Sequence, residues 1–387
     1  MTVTVPQGFR AAGVTVGLKA SGGRDLALVV NDGPRVASAA VYTGNRAQAN
    51  PILWSRAVAQ THTAHAVILN SGGANCFTGD FGYETTRLTA EAVASTLAVG
   101  LVPEQIQVCS TGLIGHGGQD FRDRIVKGVP DLVDALGDHG DLAAEAIMTT
   151  DSVSKTAAHR HADGWSIGGM AKGAGMLAPG LATMLVVITT DADLDNAALD
   201  RALRHATGTT FDRLDSDGCM STNDQVTLLA SGASGVRPEE HAFAEALAAV
   251  CDDLAAQLQH DAEGASHDID IEVLGAASPE DAVIVGRSVA RNNLFKAAIF
   301  GNDPNWGRVL AAIGTTDAAF DPYRVDVSFN GVRLCHAGGP DRPVEECDLT
   351  PRATQVRIEL FAGEHDATIR TNDLTYDYVH ENSAYSS

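Results

Sequence analysis

At 387 residues, with 44% hydrophobic and 5% aromatic residues, the chain has apolar material for a large core and a length prior of about two domains. Its net charge of −22 excludes nucleic acid and anionic membrane as partners, since either requires a basic face that releases counterions. The six cysteines show no CxxC spacing and the histidines no HExxH spacing, so no metal is expected. The N-terminus MTVTVPQGFR lacks the basic and apolar regions of a secretory signal, and no stretch reads as a membrane span. A cytoplasmic enzyme of α/β or layered α+β class is the simplest expectation.

Taken in order, Asp25–Tyr42 reads as two short strands separated by the turn Asn31-Asp32-Gly33-Pro34. Ala66–Leu69 is a strand running into the loop Asn70-Ser71-Gly72-Gly73-Ala74-Asn75-Cys76, a type of loop that can offer backbone N–H groups to an anion or a carbonyl oxygen. Tyr83–Val99 is helical, and Ile106–Ser110 is a strand ending in Thr111-Gly112. There a hydroxyl and a flexible amide can together make an oxyanion hole, although a Thr-Gly turn more often has no such role. Asp120–Leu136 and Ala143–Met148 read as helices, the second leading into Thr149-Thr150-Asp151, where N-capping is the ordinary use of such residues.

The central stretch is GGMAKGAGMLAPGLATMLVVITTDAD, Gly168–Asp193. Its loop contains Pro179 and Gly180, which forbid a helix, and it delivers Thr183 to the head of a β-branched, apolar strand. On these residues alone, Thr183 reads most simply as a strand opener. The chemical alternative is a hydroxyl that attacks its own preceding carbonyl and leaves Thr183 as a new N-terminus, nucleophile and base together. A free α-amine titrates near pH ~8 and can accept the hydroxyl proton. Gly173-x-Gly175-x-x-Ala178 also matches a dinucleotide-binding variant, but that motif needs a helix that Pro179 and Gly180 would break.

Asp195–Ala206 follows as an amphipathic helix, Leu214–Asp224 as a polar connection, Val226–Ala230 as a strand and Pro238 onward as a long helix. Ile269, Ile271 and Val273 alternate as a half-buried strand, and Asp281–Arg291 is helical. Asn292–Lys296 and then Gly301–Arg308 follow, a stretch dense in turn formers that yet carries Trp306 and Arg308, an unusual combination for a plain loop. From Thr316 the chain is strand-rich, with an Asn330-Gly331 hairpin signal. The expected division is a catalytic α/β domain over 1–280 and a smaller α+β domain over 281–387.

In combination these motifs closely resemble the ornithine acetyltransferase (glutamate N-acetyltransferase) family of arginine biosynthesis, self-processing N-terminal-nucleophile enzymes. The carriers are GFRAAGV at Gly8–Val14, NSGGANCFTG at Asn70–Gly79, CSTGLIG at Cys109–Gly115, IMTTD at Ile147–Asp151, KGAGMLAPGLATML at Lys172–Leu185, STND at Ser221–Asp224, AEGA at Ala262–Ala265, DPNWGR at Asp303–Arg308 and ENSAYSS at Glu381–Ser387. The resemblance spans essentially the whole chain. It implies an α/β sandwich that cuts itself between Ala182 and Thr183 into chains 1–182 and 183–387, which assemble as a heterotetramer of two of each. Thr183 would carry the acetyl group from N2-acetylornithine to glutamate. Thr111 and Gly112 would form the oxyanion hole, with substrate contacts on Thr150, Lys172, Thr183, Glu263, Asn382 and Ser387. Lys172 would also hold down the pKa of the new α-amine by like-charge repulsion. No cofactor is implied, with acetyl-CoA a further candidate acetyl co-substrate.

Two segments depart from the family pattern. His116-Gly117-Gly118-Gln119-Asp120 stands where a Leu-Pro-Met-Asp-type segment is usual, and His267 stands where the AEGA block runs on to a lysine. The competing reading within enzymes is an aminopeptidase or amidase of the same self-cleaving fold, in which water replaces glutamate as acceptor. A metabolite-binding protein using Gly173–Ala178 is the competing reading outside enzymes.

Overall fold

The computed structural model describes residues 2–97, 100–178 and 184–384. In chain order the elements are β1 Phe9–Val14, β2 Leu26–Asn31, β3 Ala37–Tyr42, α1 Asn50–Ala59, β4 Ala66–Asn70, α2 Gly79–Leu97, β5 Ile106–Ser110, α3 Gln119–Asp134 and α4 Gly140–Ala146. They continue with β6 Lys155–Arg160, β7 Ser166–Lys172, β8 Leu185–Thr190, α5 Asn196–Thr209, β9 Gln225–Ala230, α6 Glu240–His260 and β10 Asp268–Ala276. The remainder is α7 Pro279–Ala290, α8 Asn293–Phe300, α9 Trp306–Ile313, β11 Asp326–Phe329, β12 Val332–His336, β13 Gly339–Pro340, β14 Ala353–Glu359, β15 His365–Asn372 and α10 Tyr376–Ala384.

Side-chain alternation along the strands builds four layers. One sheet has the order β1-β2-β4-β5 and a second β3-β9-β8-β7-β6. Ala27 and Val29 of β2, Val67 and Leu69 of β4, and Leu185 and Val187 of β8 share one core between the two sheets. The intervening residues point the other way: Leu26 and Leu28 pack with residues of α1, α2 and α3, and Val186 and Ile188 with residues of α5 and α6. All six residues of β8 are buried because both of its faces are covered, which explains its unbroken apolar and β-branched run. The result is an α/β sandwich with two sheets inside and α1, α2, α3, α5 and α6 outside, while Ala143, Ala144 and Ala146 of α4 enter the core between the sheets.

The C-terminal part forms a separate six-stranded sheet, β13-β12-β11-β14-β10-β15, packed on α7, α8 and α9 around its own core. β10 pairs in parallel with β14 and antiparallel with β15. This sheet therefore begins at Asp268, upstream of a boundary drawn at 280/281. The two stretches 292–296 and 301–308 hold the first half of α8 and the start of α9. Asn292 and Asn305 are their N-caps, with side chains accepting from the N–H of Phe295 and of Arg308. Asparagine favours both turns and caps, and here capping prevails.

Register fixes where chemistry can sit. Lys172 at the end of β7 pairs with Leu185 at the start of β8, which pairs with Gln225 at the start of β9. The loop after β5 meets this edge, because the Asn223 amide donates to the carbonyls of Ser110 (2.9 Å) and Ala74 (2.6 Å).

Candidate active site

Lys172 occupies the last position of β7, where alternation turns its side chain into the edge of the sandwich, and it is 1% exposed. Burying an unpaired ammonium costs several kcal/mol, so its surroundings must compensate. Its Nζ donates to Thr149 Oγ1 at 2.7 Å and to Thr111 Oγ1 at 3.3 Å. The Asp151 carboxylate lies 3.8 Å away. Burial lowers the Lys172 pKa, and the Asp151 charge opposes that shift.

Asp151 is the hub of this arrangement. Oδ1 accepts from Lys155 Nζ (2.7 Å) and the Gly173 N–H (2.6 Å), and Oδ2 accepts from the Thr149 N–H (2.9 Å). Burial alone would raise its pKa, but the charges of Lys172 and Lys155 together with these hydrogen bonds hold it down to about 2. Lys155 also donates to Asp261 at 2.6 Å. Two ammonium and two carboxylate groups thus tie the 149–155 turn to the loop that carries Glu263. Asp151 is no helix cap, and its role was invisible in sequence because its partners are spread along the chain.

The loop after β5 supplies a hydroxyl and an adjacent glycine amide. The Thr111 N–H donates to the Asn70 carbonyl (2.9 Å), and the Gly73 N–H to the Thr111 carbonyl (3.0 Å). Gly112 has φ +127°, and a Cβ there would stand 2.5 Å from the Gly73 nitrogen, so only glycine fits. Thr111 accepts from Lys172, which leaves its own hydroxyl proton to donate. Beside it Gly112 is exposed. A hydroxyl and an adjacent amide are the donor types an oxyanion requires.

The acidic side of the site comes from the far end of the chain. Glu263 is buried, its N–H donating to the Ala174 carbonyl (3.0 Å), and its Oε2 accepts from Asn382 Nδ2 at 3.0 Å. The intervening contact depends on Gly264: its φ is +61°, and a Cβ would lie 2.2 Å from the Tyr378 nitrogen. α10 can therefore lie directly on the Ala262–Ala265 turn and bring Asn382 to Glu263.

Lys172, Thr111, Glu263 and Asn382 thus gather near one edge of the sandwich. Thr150 is exposed beside them, and its neighbour Thr149 holds the hydrogen bond to Lys172. Thr183, Ala182 and Ser387 lie outside the described residues. Residues 173–178 contain no helix, so the dinucleotide-binding geometry is absent from the described part of that motif. Among the described residues, no group of three or more His, Cys, Asp or Glu side chains is placed to hold a metal, and no helix is long and apolar enough to cross a membrane.

The two divergent segments sit differently. His116 is exposed and packs edge-on against Phe121, and Gln119 and Asp120 open α3. His267 is buried, with Nδ1 2.8 Å from Asp373 Oδ2 and Nε2 2.9 Å from the Leu349 carbonyl oxygen. Both ring nitrogens face oxygen atoms, which fixes the imidazole in place after the Ala262–Ala265 turn.

The profile of the ArgJ family matches residues 10–387. The arginine biosynthesis bifunctional protein ArgJ of Streptomyces avermitilis is 60% identical over the full length of both chains. The protein of the same name from Mycobacterium leprae is 52% identical over all of this chain and 96% of its own. Among solved structures, ornithine acetyltransferase from Mycobacterium tuberculosis, complexed with ornithine, is 49% identical with a TM-score of 0.45, covering 48% of this chain and 96% of that chain. The Bacillus halodurans ArgJ structure is 34% identical with a TM-score of 0.48, covering 51% of this chain and 97% of that chain.

Proposed function

This chain belongs to the ArgJ family and is an arginine-biosynthesis acetyltransferase, and we propose that it moves the acetyl group from N2-acetylornithine to glutamate through an ester on Thr183. The observation that carries this reading is the buried Lys172 ammonium, hydrogen-bonded to Thr111 and Thr149, at the strand end that pairs with Leu185, two positions after Thr183.

The enzyme first makes its own nucleophile. Thr183 Oγ bonds to the Ala182 carbonyl carbon, the Ala182–Thr183 C–N bond breaks, and the hydroxyl proton passes to the departing nitrogen. Water then hydrolyses the ester, giving chains 1–182 and 183–387. The freed α-amine serves as base for the Thr183 hydroxyl. Attack on the acetyl carbonyl of N2-acetylornithine places negative charge on oxygen, which Thr111 and Gly112 stabilise. Collapse expels ornithine, its nitrogen taking the proton, and glutamate's amine repeats the sequence in reverse. Lys172, with Thr150 and Asn382 nearby, suits a substrate α-carboxylate, and Glu263 suits the ornithine ammonium. Ser387 completes the substrate contacts in this reading.

Acetyl-CoA can load the same ester, and no bound cofactor takes part. We take the working form to be a cytoplasmic heterotetramer of two chains of each kind, which native mass measurement tests. The decisive assay is incubation with N-acetylornithine and varied glutamate. Parallel double-reciprocal plots and acetylglutamate as product are expected. Free acetate as the main product would instead indicate an amidase or aminopeptidase of this fold.

A further inference from the structure

The polar connection 214–224 performs no step in the chemistry above, yet it holds the chain on both sides of the bond that chemistry cuts. Upstream, Asp217 Oδ2 accepts from the Met176 N–H at 2.7 Å, while the N–H groups of Ser216 and Asp217 donate to the Leu177 carbonyl at 2.5 and 3.4 Å. Met176 is held at φ +54°, a left-handed conformation that a side-chain-bearing residue adopts only when its surroundings impose it. Downstream, Asp224 Oδ1 accepts from the Met184 N–H at 3.1 Å, and the Gln225 N–H donates to the Met184 carbonyl at 3.2 Å.

The connection is itself anchored. Asp215 pairs with Arg291 at 2.7 Å, Ser216 Oγ donates to Asn372 at 2.8 Å, and Lys296 Nζ donates to the Ser216 carbonyl. Its Asn223 amide fixes Ser110 and Ala74 of the oxyanion loops. One rigid segment thus references both flanks of the 182/183 bond to the oxyanion donors.

We propose that the connection 214–224 is a clamp for self-cleavage, in which Asp217 and Asp224 are positioning residues that hold the peptide bond 182/183 for attack. The inference rests on the self-cleavage reading given above. Pinning residues 176–177 and 184 to one support settles both flanks of the cut bond before reaction, so less entropy is lost in reaching the attack geometry. Asp224 is fully buried, and burial pushes its carboxyl well above the usual carboxylate range, against the hydrogen bond from Met184, the Ser221 and Thr43 hydroxyls and the Lys172 charge. An asparagine at 224 keeps the shape of the side chain and the Oδ1 acceptor for Met184. At Asp217 both oxygens are used, Oδ1 accepting from the Cys219 N–H at 3.0 Å, so an amide there forfeits one bond.

The test is the rate at which freshly translated full-length chain yields a fragment beginning at Thr183, followed by gel and mass spectrometry. Asp217→Asn and Asp224→Leu are expected to slow cleavage on the order of tenfold or more, the equivalent of one buried hydrogen bond. Asp224→Asn is expected to restore cleavage to within about threefold of wild type, which mere loss of fold would not allow. Wild-type rates in Asp217→Asn and Asp224→Leu would overturn the clamp while leaving self-cleavage intact. No cut in the wild-type chain would overturn the self-cleavage reading itself. A tenfold loss in Asp224→Asn would overturn the assignment of the Met184 acceptor as what position 224 supplies.

Discussion

The Lys172 ammonium stands 3.8 Å from the Asp151 carboxylate, with the two side chains 2% and 1% exposed. So buried a pair has consequences for stability as well as chemistry, because removing one member strands the other's charge away from water.

Asp151→Asn leaves Lys155 and Lys172 undercompensated and is expected to cost about 3–5 kcal/mol, read as a lowered unfolding midpoint at pH 7. The folded pKa of about 2 lies below the ~3.9 of an unfolded aspartate. This group therefore contributes stability above about pH 4, roughly 2–3 kcal/mol, and that contribution is lost as pH falls toward 2. The difference between wild type and variant should narrow over that window. A gap unchanged from pH 7 to pH 3 would contradict the assignment.

Lys172→Met is expected to lower kcat/KM for N-acetylornithine by roughly 10²–10³, since a charged partner for the substrate carboxylate is lost. The rising limb of the pH–rate profile, which the proposed mechanism assigns to release of the proton from the Thr183 α-amine, should move to higher pH when the Lys172 charge is removed. A limb at its wild-type position would show that Lys172 does not act on the amine.

Gly112→Ala forces a Cβ to within 2.5 Å of the Gly73 nitrogen at φ +127°. The loop must move, so kcat is expected to fall about 10²-fold with a smaller change in KM, as for loss of an oxyanion donor. Steady-state kinetics on N-acetylornithine decide it. An equal rise in KM with kcat preserved would place the residue in ground-state binding instead.

Glu263→Gln keeps a hydrogen-bond acceptor for Asn382 but removes the charge proposed to face ornithine's ammonium. Rapid-quench measurement of each half-reaction should show acetyl transfer from N-acetylornithine slowed by about 10–100-fold and transfer to glutamate much less affected. Equal losses in both half-reactions would argue against a role specific to the ammonium.

Much of this was legible in the sequence because the relevant patterns are local. Alternation at Ile269, Ile271 and Val273 announces β10, and Lys172 and Gly112 sit in short, specific motifs. What stayed hidden depends on long-range geometry. β2 and β3 are neighbours in sequence but belong to different sheets, which no periodicity can reveal. Asp151 resembles a cap until Lys155, Gly173 and Lys172 fold around it. Asp217 and Asp224 lie in a stretch whose composition reads as plain connection, and only their bonds to Met176 and Met184 give it meaning. The helices α8 and α9 were concealed by their own N-caps.

The central claim is that Thr183 becomes an N-terminus and carries the acetyl group. Purified protein, mixed with N-acetylornithine without glutamate and quenched in acid, should give two fragments on mass spectrometry. The one beginning at Thr183 should be heavier by one acetyl group, located on that residue and removed when glutamate is added. An uncut chain that still transfers acetyl to glutamate, or an acetyl group lodged on another residue, would contradict the account.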